Sequence, residues 1–270
     1  MALQKPDQST LVDCSVSHGA GRSCDLPALP VAGVYTVLVD PSAAAATLKL
    51  WLSADVTGTV AINSAATAVS APFGRDGRYT FTGTAGQALG LGITEPVTTP
   101  PNGYVSITVQ KPDQSILLDC SVWHGAGTSC DLPVLPVTGV YTIVVDPGFA
   151  TATLKLWLST DVAGALTADG VATTFTTARA GQNARYTFAG TAGQDLRLVL
   201  SGDTFPGDTE VYVYEPNGNL WTWTSLFYAS GSGSAGLLDL WGLPATGTYT
   251  VFITPTGIAT GSITTRLVTP

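Results

Sequence analysis

The residues best suited to chemistry in this sequence are four cysteines that form two pairs. Cys14 and Cys24 enclose nine residues, and Cys120 and Cys130 enclose nine residues of the same pattern, which contains Ser-Val-x-His-Gly-Ala-Gly. In the corresponding part of the last third of the chain, both cysteines are replaced together, as expected for bonded partners. The sequence therefore predicts two hairpin disulfides, which form in oxidising compartments.

The two histidines offer an alternative use for these cysteines. His18 lies inside the first cysteine loop and His124 inside the second. A structural zinc site needs four ligands, and each loop supplies only one histidine and two cysteines at customary spacing. Because the histidines occupy equivalent loops of different repeats, neither has an obvious Ser-His-Asp or Cys-His arrangement around it. We interpret both as solvated loop residues and expect a protein without catalytic residues.

Carboxylates are the remaining candidates for chemistry. Most aspartates stand beside proline or glycine at predicted turns, where bonds to the nearby backbone explain them. The loop that contains Asp203, Asp208 and Glu210 differs, because three carboxylates there precede one predicted strand. A hard cation such as Ca²⁺ binds carboxylate oxygens, so this loop is a candidate calcium site. A solvated acidic loop is the alternative, and we predict no other cofactor.

The elements that must position these residues belong to a tandem repeat. Thr47–Ser53 recurs letter for letter as Thr153–Ser159, and Tyr35–Pro41 is matched by Tyr141–Pro147, in both cases 106 residues later. Leucines at alternate positions of the repeated stretch put one apolar face on a strand. A period of about 106 residues therefore organises the chain.

Strand signals dominate the whole sequence. They follow one another about every ten residues, with Gly, Pro, Asn and Asp between them, and no segment keeps a helical period. The sequence predicts an all-β fold of tandem jelly-roll-like antiparallel β-sandwich modules. Each module is expected to open with a hairpin, at residues 59–69 and 165–175. It should then pair Val105–Val109 with Ile116–Cys120, or Val211–Tyr214 with Leu220–Thr224.

The repeat divides the chain into three units. Residues 1–57, the N-terminal unit, match only the second half of a module, whereas residues 58–163, the middle module, and 164–270, the C-terminal module, are complete. The N-terminal unit should expose an apolar patch of a size that drives association. We expect this unit either to pack on the middle module or to form a two-fold homodimer through residues 1–57.

Aromatic side chains are the candidates for ligand binding. An Asn217–Gly218 turn would place Tyr212 opposite Trp223 and Tyr214 opposite Trp221, on the outward face of the sheet. Leucines on either side of the two repeated tryptophans should turn those rings outward as well. Flat exposed aromatics stack on pyranose rings. The predicted glycan-binding residues are therefore Trp51, Trp157, Tyr212, Tyr214, Trp221 and Trp223.

Two alternatives for these aromatics stay open. The C-terminal module could instead pack its tyrosines and tryptophans inward, or a loop or a neighbouring module could cover them. Trp51 and Trp157 could equally serve as packing between modules. In either case the aromatics would be structural residues.

Three motifs resemble those of a known class of module. They are Tyr-Thr-Phe-x-Gly-Thr-Ala-Gly-Gln at 79–87 and 186–194, Leu-Pro-x-Thr-Gly-x-Tyr-Thr at 135–142 and 243–250, and Val-Tyr-Val-Tyr at 211–214. The chain resembles bacterial pre-peptidase C-terminal-type β-sandwich modules, and similar units occur in Rhs-type surface proteins with YD repeats. This resemblance implies an extracellular accessory domain that brings no catalytic residues.

Composition narrows the function further. Charged residues make up 11% of the chain and the formal net charge is −8. Nucleic acids and anionic membranes bind clustered Lys and Arg, so we expect neither as a partner. The low charge suits a secreted or cell-surface protein, and no apolar run reaches the roughly 18 residues that span a bilayer. Since Met1 leads straight into repeat sequence, we interpret the chain as part of a larger protein.

The predicted function is a non-catalytic, extracellular array that binds polysaccharide or cell-surface glycan, as in cell adhesion. A structural spacer or self-assembling stalk is the alternative from a different class. A third is an ancillary segment of a larger secreted protein.

Overall fold

The structure is a computed structural model, and it describes residues 1–17, 21–42, 45–101, 103–227 and 234–270. In these ranges the chain is all-β, with 21 strands and no helix, which confirms the predicted fold class. None of the described segments is therefore a helix of the length and apolarity that a membrane crossing needs.

The N-terminal unit forms one small antiparallel sheet in the order β2-β1-β3. Its strands are β1 (Ala2–Gln4), β2 (Thr10–Asp13) and β3 (Thr36–Leu38). The predicted strand at Thr47–Leu52 is wrong, since no strand forms between residues 45 and 55. The identical sequence in the middle module is a strand because it is held between two partner strands. Residues 1–57 contain no counterpart of those partners.

The middle module contains nine strands in two sheets, in the orders β4-β6-β11-β8-β9 and β10-β7-β12-β5. The strands are β4 (Val56–Thr59), β5 (Thr67–Ala71), β6 (Gly77–Gly83), β7 (Leu89–Thr99), β8 (Tyr104–Gln110), β9 (Ile116–Trp123), β10 (Thr128–Asp131), β11 (Gly139–Asp146) and β12 (Thr151–Thr160).

The C-terminal module repeats this arrangement, with sheets in the orders β13-β15-β20-β17-β18 and β14-β21-β16-β19. The strands are β13 (Val162–Ala165), β14 (Thr173–Thr176), β15 (Ala184–Gly190), β16 (Leu196–Asp203), β17 (Thr209–Tyr214), β18 (Leu220–Leu226), β19 (Ser234–Leu240), β20 (Gly247–Pro255) and β21 (Ser262–Val268).

The opening segment of each module differs from the prediction. Strands β4 and β5 lie in opposite sheets, and so do β13 and β14, so the predicted hairpins at 59–69 and 165–175 are wrong. The turn after the first strand crosses to the other sheet, where the Asn63 backbone N–H donates to Leu158 and that of Asp169 donates to Leu267. β4 and β13 instead pair in parallel with β6 and β15.

Each module has its own apolar core between its two sheets. Inward side chains alternate with outward ones along the strands, as the pleat of a β-strand requires. A tyrosine of the strand at the centre of the five-stranded sheet stacks on a phenylalanine of its neighbour. The Phe81–Tyr141 and Phe188–Tyr249 ring centroids are 5.2 Å and 5.1 Å apart.

Candidate functional site

Both predicted disulfides are present, which confirms the pairing. Cys14 is bonded to Cys24 and Cys120 to Cys130, each with Cα atoms 6.3 Å apart. The zinc alternative is wrong, because the sulfur atoms that would bind the metal are bonded to each other. His124 Nδ1 accepts a hydrogen bond from the Thr98 backbone N–H at 2.9 Å. The other histidine, His18, lies outside the described residues.

The carboxylates of the candidate calcium loop are held separately by the protein. Asp203 is buried and its Oδ1 accepts the Phe205 backbone N–H at 3.0 Å, while desolvation raises the pKa of this carboxyl. Glu210 Oε2 accepts the Tyr212 hydroxyl at 2.5 Å, and this bond raises the pKa of Tyr212 to about 12. Within the described ranges, no cluster of three or more His, Cys, Asp or Glu is arranged to hold a metal. Calcium binding through Asp203, Asp208 and Glu210 stays a prediction.

Part of the predicted aromatic ladder forms on the outer face of the five-stranded sheet of the C-terminal module. Tyr212 lies directly opposite Trp223, with ring centroids 6.1 Å apart and planes 24° apart. On its other side Tyr212 pairs with Phe252, and the Arg185 guanidinium lies 4.1 Å above the Phe252 ring. These four side chains, the aromatic row, run from Trp223, which is 55% exposed, toward the middle module.

Trp221 does not belong to this ladder, contrary to the prediction. Tyr214 lies opposite Leu220, because a bulge between the strands leaves Trp221 without a cross-strand partner. Trp221 turns to the core and packs against Tyr249 at 6.0 Å. The cause is the turn, in which Gly218, with φ +86°, donates its backbone N–H to Glu215. Such a three-residue turn with a left-handed last residue introduces a bulge.

The two repeated tryptophans have different surroundings despite their identical flanking sequences. Trp157 is half-buried on β12, opposite Gly92, and its indole N–H donates to Thr94 Oγ1 at 3.1 Å. Trp51 lies on no strand and is 72% exposed. Its ring forms a T-shaped pair with that of Phe73, a loop residue of the middle module, with ring centroids 6.0 Å apart. The structure therefore does not unite Trp51 and Trp157 with the aromatic row.

Sequence reasoning missed a second exposed aromatic pair. Tyr104 and Trp123 face each other across β8 and β9, with ring centroids 5.5 Å apart, and both are more than half exposed. The signal was available, because continuing the predicted pairing of Val105–Val109 with Ile116–Cys120 brings these two residues opposite each other. Their planes are tilted by 51°, so they do not form one flat surface.

A polar contact joins the middle and C-terminal modules, and sequence reasoning missed it as well. The Arg185 Nε donates to Asp161 Oδ2 at 2.7 Å, and Asn183 Nδ2 donates to Asp131 Oδ1 at 2.8 Å. The Asp161 side chain is 2% exposed and Asn183 is 1% exposed. Desolvation raises the pKa of Asp161, and the charge of Arg185 opposes that rise. We call these four residues the second junction.

Close backbone contact accompanies these polar bonds. A methyl group added at Gly92 would lie 2.2 Å from the Ala180 carbonyl oxygen, and one at Gly90 would lie 1.9 Å from the Gly181 carbonyl oxygen. In the C-terminal module the positions equivalent to Gly90 and Gly92 hold arginine and valine. Glycine inside a strand marks a close approach of another backbone, and the backbone here belongs to the next module.

The N-terminal unit meets the middle module through equivalent residues, which we call the first junction. Arg78 pairs with Asp55 as Arg185 pairs with Asp161, and Asp25 stands where the second junction has Asp131. Asp76 replaces the asparagine, and it is only 7% exposed. Desolvation, followed by the charges of Asp25 and its acidic neighbours, raises the pKa of Asp76 to about 7. The first junction thus has a carboxyl where the second has an amide donor.

Comparison with known proteins adds little to this geometry. No protein-family model matches the chain, and no curated protein matches it. Among solved structures, the crystal structure of the PBSX exported protein XepA is similar over 74% of this chain and 84% of that chain, with 11% identity and a TM-score of 0.28. The class of the protein therefore follows from its own strand order. It is an all-β chain with two nine-stranded sandwiches in tandem.

Proposed function

We propose that this chain is a non-catalytic structural segment, a spacer in which consecutive β-sandwich modules are held in a fixed relative orientation. The observation that carries the proposal is the second junction, where a partly buried arginine paired with a buried aspartate and an asparagine–aspartate bond cross from one module to the next. Domains joined by a flexible tether move independently and would not keep such groups buried between them.

The energetics of buried charges support a fixed orientation. Removing one partner of a buried ion pair costs about 3–5 kcal/mol, because the other charge stays desolvated. Separating the modules would also break the bonds from Arg179 to the Asn63 carbonyl and from Gln182 to the Thr160 carbonyl. All of these bonds therefore form together in one relative orientation of the two modules.

An extracellular location is part of this proposal. Two disulfides are compatible with it, since such bonds persist in oxidising compartments and are rare in the cytosol of most organisms. Surface presentation or secretion is also the environment in which a spacer would hold other parts of a protein apart.

A bulky side chain introduced at the second junction tests the spacer hypothesis. Gly92→Val introduces the residue found at the equivalent position of the C-terminal module, and its side chain has no room against Ala180. We expect small-angle X-ray scattering to show a larger radius of gyration and broader shape distribution, with both module cores still folded by circular dichroism. The matched control is Val199→Gly, which makes the reverse change at the equivalent position of the C-terminal module, away from the second junction. Scattering unchanged in Gly92→Val would contradict the proposal.

Glycan binding is the second candidate function, and the aromatic row favours it. Tyr212 and Trp223 are nearly parallel neighbours on an outer sheet face, and Trp223 is more than half exposed. Rings in this arrangement present an apolar surface on which the C–H face of a sugar can stack. Tyr212 is fixed further by its hydroxyl bond to Glu210.

Affinity electrophoresis in gels that contain cellulose, xylan or chitin tests this candidate. We expect retardation by one of these polysaccharides in the intact chain and its loss in Trp223→Ala. Trp241→Ala is the control, because Trp241 is similarly exposed but lies beside the Arg197 guanidinium and outside the aromatic row. Equal retardation of both variants would remove the aromatic row from consideration, and no retardation of the intact chain on any of them would count against glycan binding.

A further inference from the structure

The N-terminal unit carries an apolar face that the same residues bury elsewhere in the chain. Val37, Leu50 and Leu52 are 50%, 52% and 83% exposed. Their equivalents 106 residues later, Ile143, Leu156 and Leu158, are at most 2% exposed. Because the flanking sequences are nearly identical, the difference comes from what covers the face in each unit.

The covering elements in the middle module can be named. β11 pairs with β6, and β12 lies between β5 and β7, so the face is closed by the first half of the sandwich. The N-terminal unit contacts the middle module elsewhere, through Trp51 and Phe73 and through Asp55 and Arg78. Packing on the middle module is one of the two arrangements predicted for this unit. It leaves the apolar face of Val37, Leu50 and Leu52, which we call the leucine face, exposed.

Several turns of the N-terminal unit already have the local geometry of a completed half. The Tyr35 hydroxyl donates to the Val31 carbonyl at 2.8 Å, as Tyr141 donates to Val137 at 2.7 Å. The turn from Lys5 to Ser9 has the same backbone bond as its equivalent at 111–115, and the two disulfides span equal distances. The sheet of β1, β2 and β3 is therefore preformed, whereas residues 47–52 must become a strand when a complement binds.

We propose that the open face of the N-terminal unit is an acceptor for the first half of a sandwich of this same repeat, supplied by a further polypeptide segment. The complement must present a strand of the β6 type to the free edge of β3 and strands of the β5 and β7 types to residues 47–52. It must also supply a phenylalanine for Tyr35, which stacks on no ring among the described residues although Tyr141 and Tyr249 both do.

Other occupants fit less well. The two first halves present in this chain are already paired in the middle and C-terminal modules, so neither is available without unfolding its own core. A second copy meeting the face through a two-fold axis would bring another leucine face and another Tyr35, but no phenylalanine strand. The proposal goes beyond the spacer function and does not depend on it, since it rests on the contrast in burial.

A fusion tests the acceptor directly. A copy of residues 58–107 is placed before Ala2 of the full chain, in the register of the repeat. We expect hydrogen exchange of residues 36–38 and 47–52 to slow by about tenfold or more, as for strands that become part of a core. The matched control carries Phe81→Asp and Leu91→Asp in the added copy only and should leave this exchange fast. A second fusion, with residues 165–211 in place of 58–107, guards against failure of one particular copy to fold.

The outcomes are distinct. Protection in both fusions but not in the control supports the proposal. Exchange equally fast in both fusions and the control overturns it. Protection of the same residues in the unfused chain also overturns it. Sedimentation then identifies what covers the face: a dimer indicates the two-fold homodimer, and a monomer indicates another part of the same chain. The spacer is tested separately by Gly92→Val, so either idea can fail alone.

Discussion

Replacing Asp76 by asparagine should stabilise the first junction at neutral and alkaline pH. The substitution installs the residue that the second junction has at the same position, where Asn183 donates to Asp131 at 2.8 Å. Asp76 is 7% exposed, and its surroundings favour the neutral carboxyl, with a pKa of about 7 against an ordinary value of 3.8. An amide is neutral at every pH and adds an N–H donor, which in the second junction bonds Asp131, the residue equivalent to Asp25.

The size of the effect follows from the shift of the Asp76 pKa. One pKa unit corresponds to 1.36 kcal/mol, so a rise of roughly three units corresponds to about 4 kcal/mol as an upper limit. Because the folded-state pKa is the higher one, this contribution to stability is fully present below pH 3.8 and is lost as the pH rises toward 7. Asp25, Asp55 and Asp146 add to the rise, and Arg78 opposes it.

Urea unfolding of the full chain at pH 5 and pH 8 measures this effect. Other buried carboxyls also have raised pKa values, so the intact chain should lose stability between these conditions for several reasons. The informative quantity is the decrease in the free energy of unfolding between pH 5 and pH 8, which should be smaller in Asp76→Asn than in the intact chain. The reverse change, Asn183→Asp, should give the second junction the pH dependence of the first. If the loss is the same in the intact chain and in Asp76→Asn, the carboxyl is not held neutral and the reasoning is wrong.

Three further predictions concern the disulfides, the second junction and calcium. Reducing both disulfides should lower the free energy of unfolding by about 2–3 kcal/mol each, and a thiol assay on the unfolded, unreduced chain should find no free cysteine. Arg185→Ala should destabilise the junction by about 3–5 kcal/mol because it strands the Asp161 charge, whereas the exposed Arg266→Ala should have little effect in the same urea titration. Calcium binding by the loop at 203–210 should raise the melting temperature relative to a chelator, with the increase lost in Asp208→Asn, and an unchanged melting temperature in the intact chain removes the site.

Local sequence signals predicted the parts of the fold that local residues decide. The equal spacing of the cysteine pairs predicted both disulfides, and alternating apolar residues predicted the pairing of β8 with β9 and of β17 with β18. Register within the last pair was only partly correct. Pro216 was the overlooked signal, since proline suits the second position of a type I turn and shifts the turn away from Asn217–Gly218.

What the sequence did not predict depends on partners that are distant in the chain. Thr47–Leu52 has the sequence of a strand, but a strand forms only where β5 and β7 types are present to pair with it. Gly90 and Gly92 weaken a strand pattern when considered alone, and the need for glycine is evident only from the close approach of Gly181 to Gly90 and of Ala180 to Gly92. The junctions were missed for the same reason, because charged residues scattered over fifty residues of sequence meet only in three dimensions.

The proposed fixed orientation of the modules is tested most directly by a distance distribution between them. Spin labels introduced as noncanonical amino acids at Ile116 and Val171, which are exposed on the middle and C-terminal modules, leave both disulfides intact. Pulsed electron paramagnetic resonance should give a single narrow distance distribution in the otherwise unchanged chain and a broad one after Gly92→Val. A broad distribution in the chain without that substitution would contradict the account.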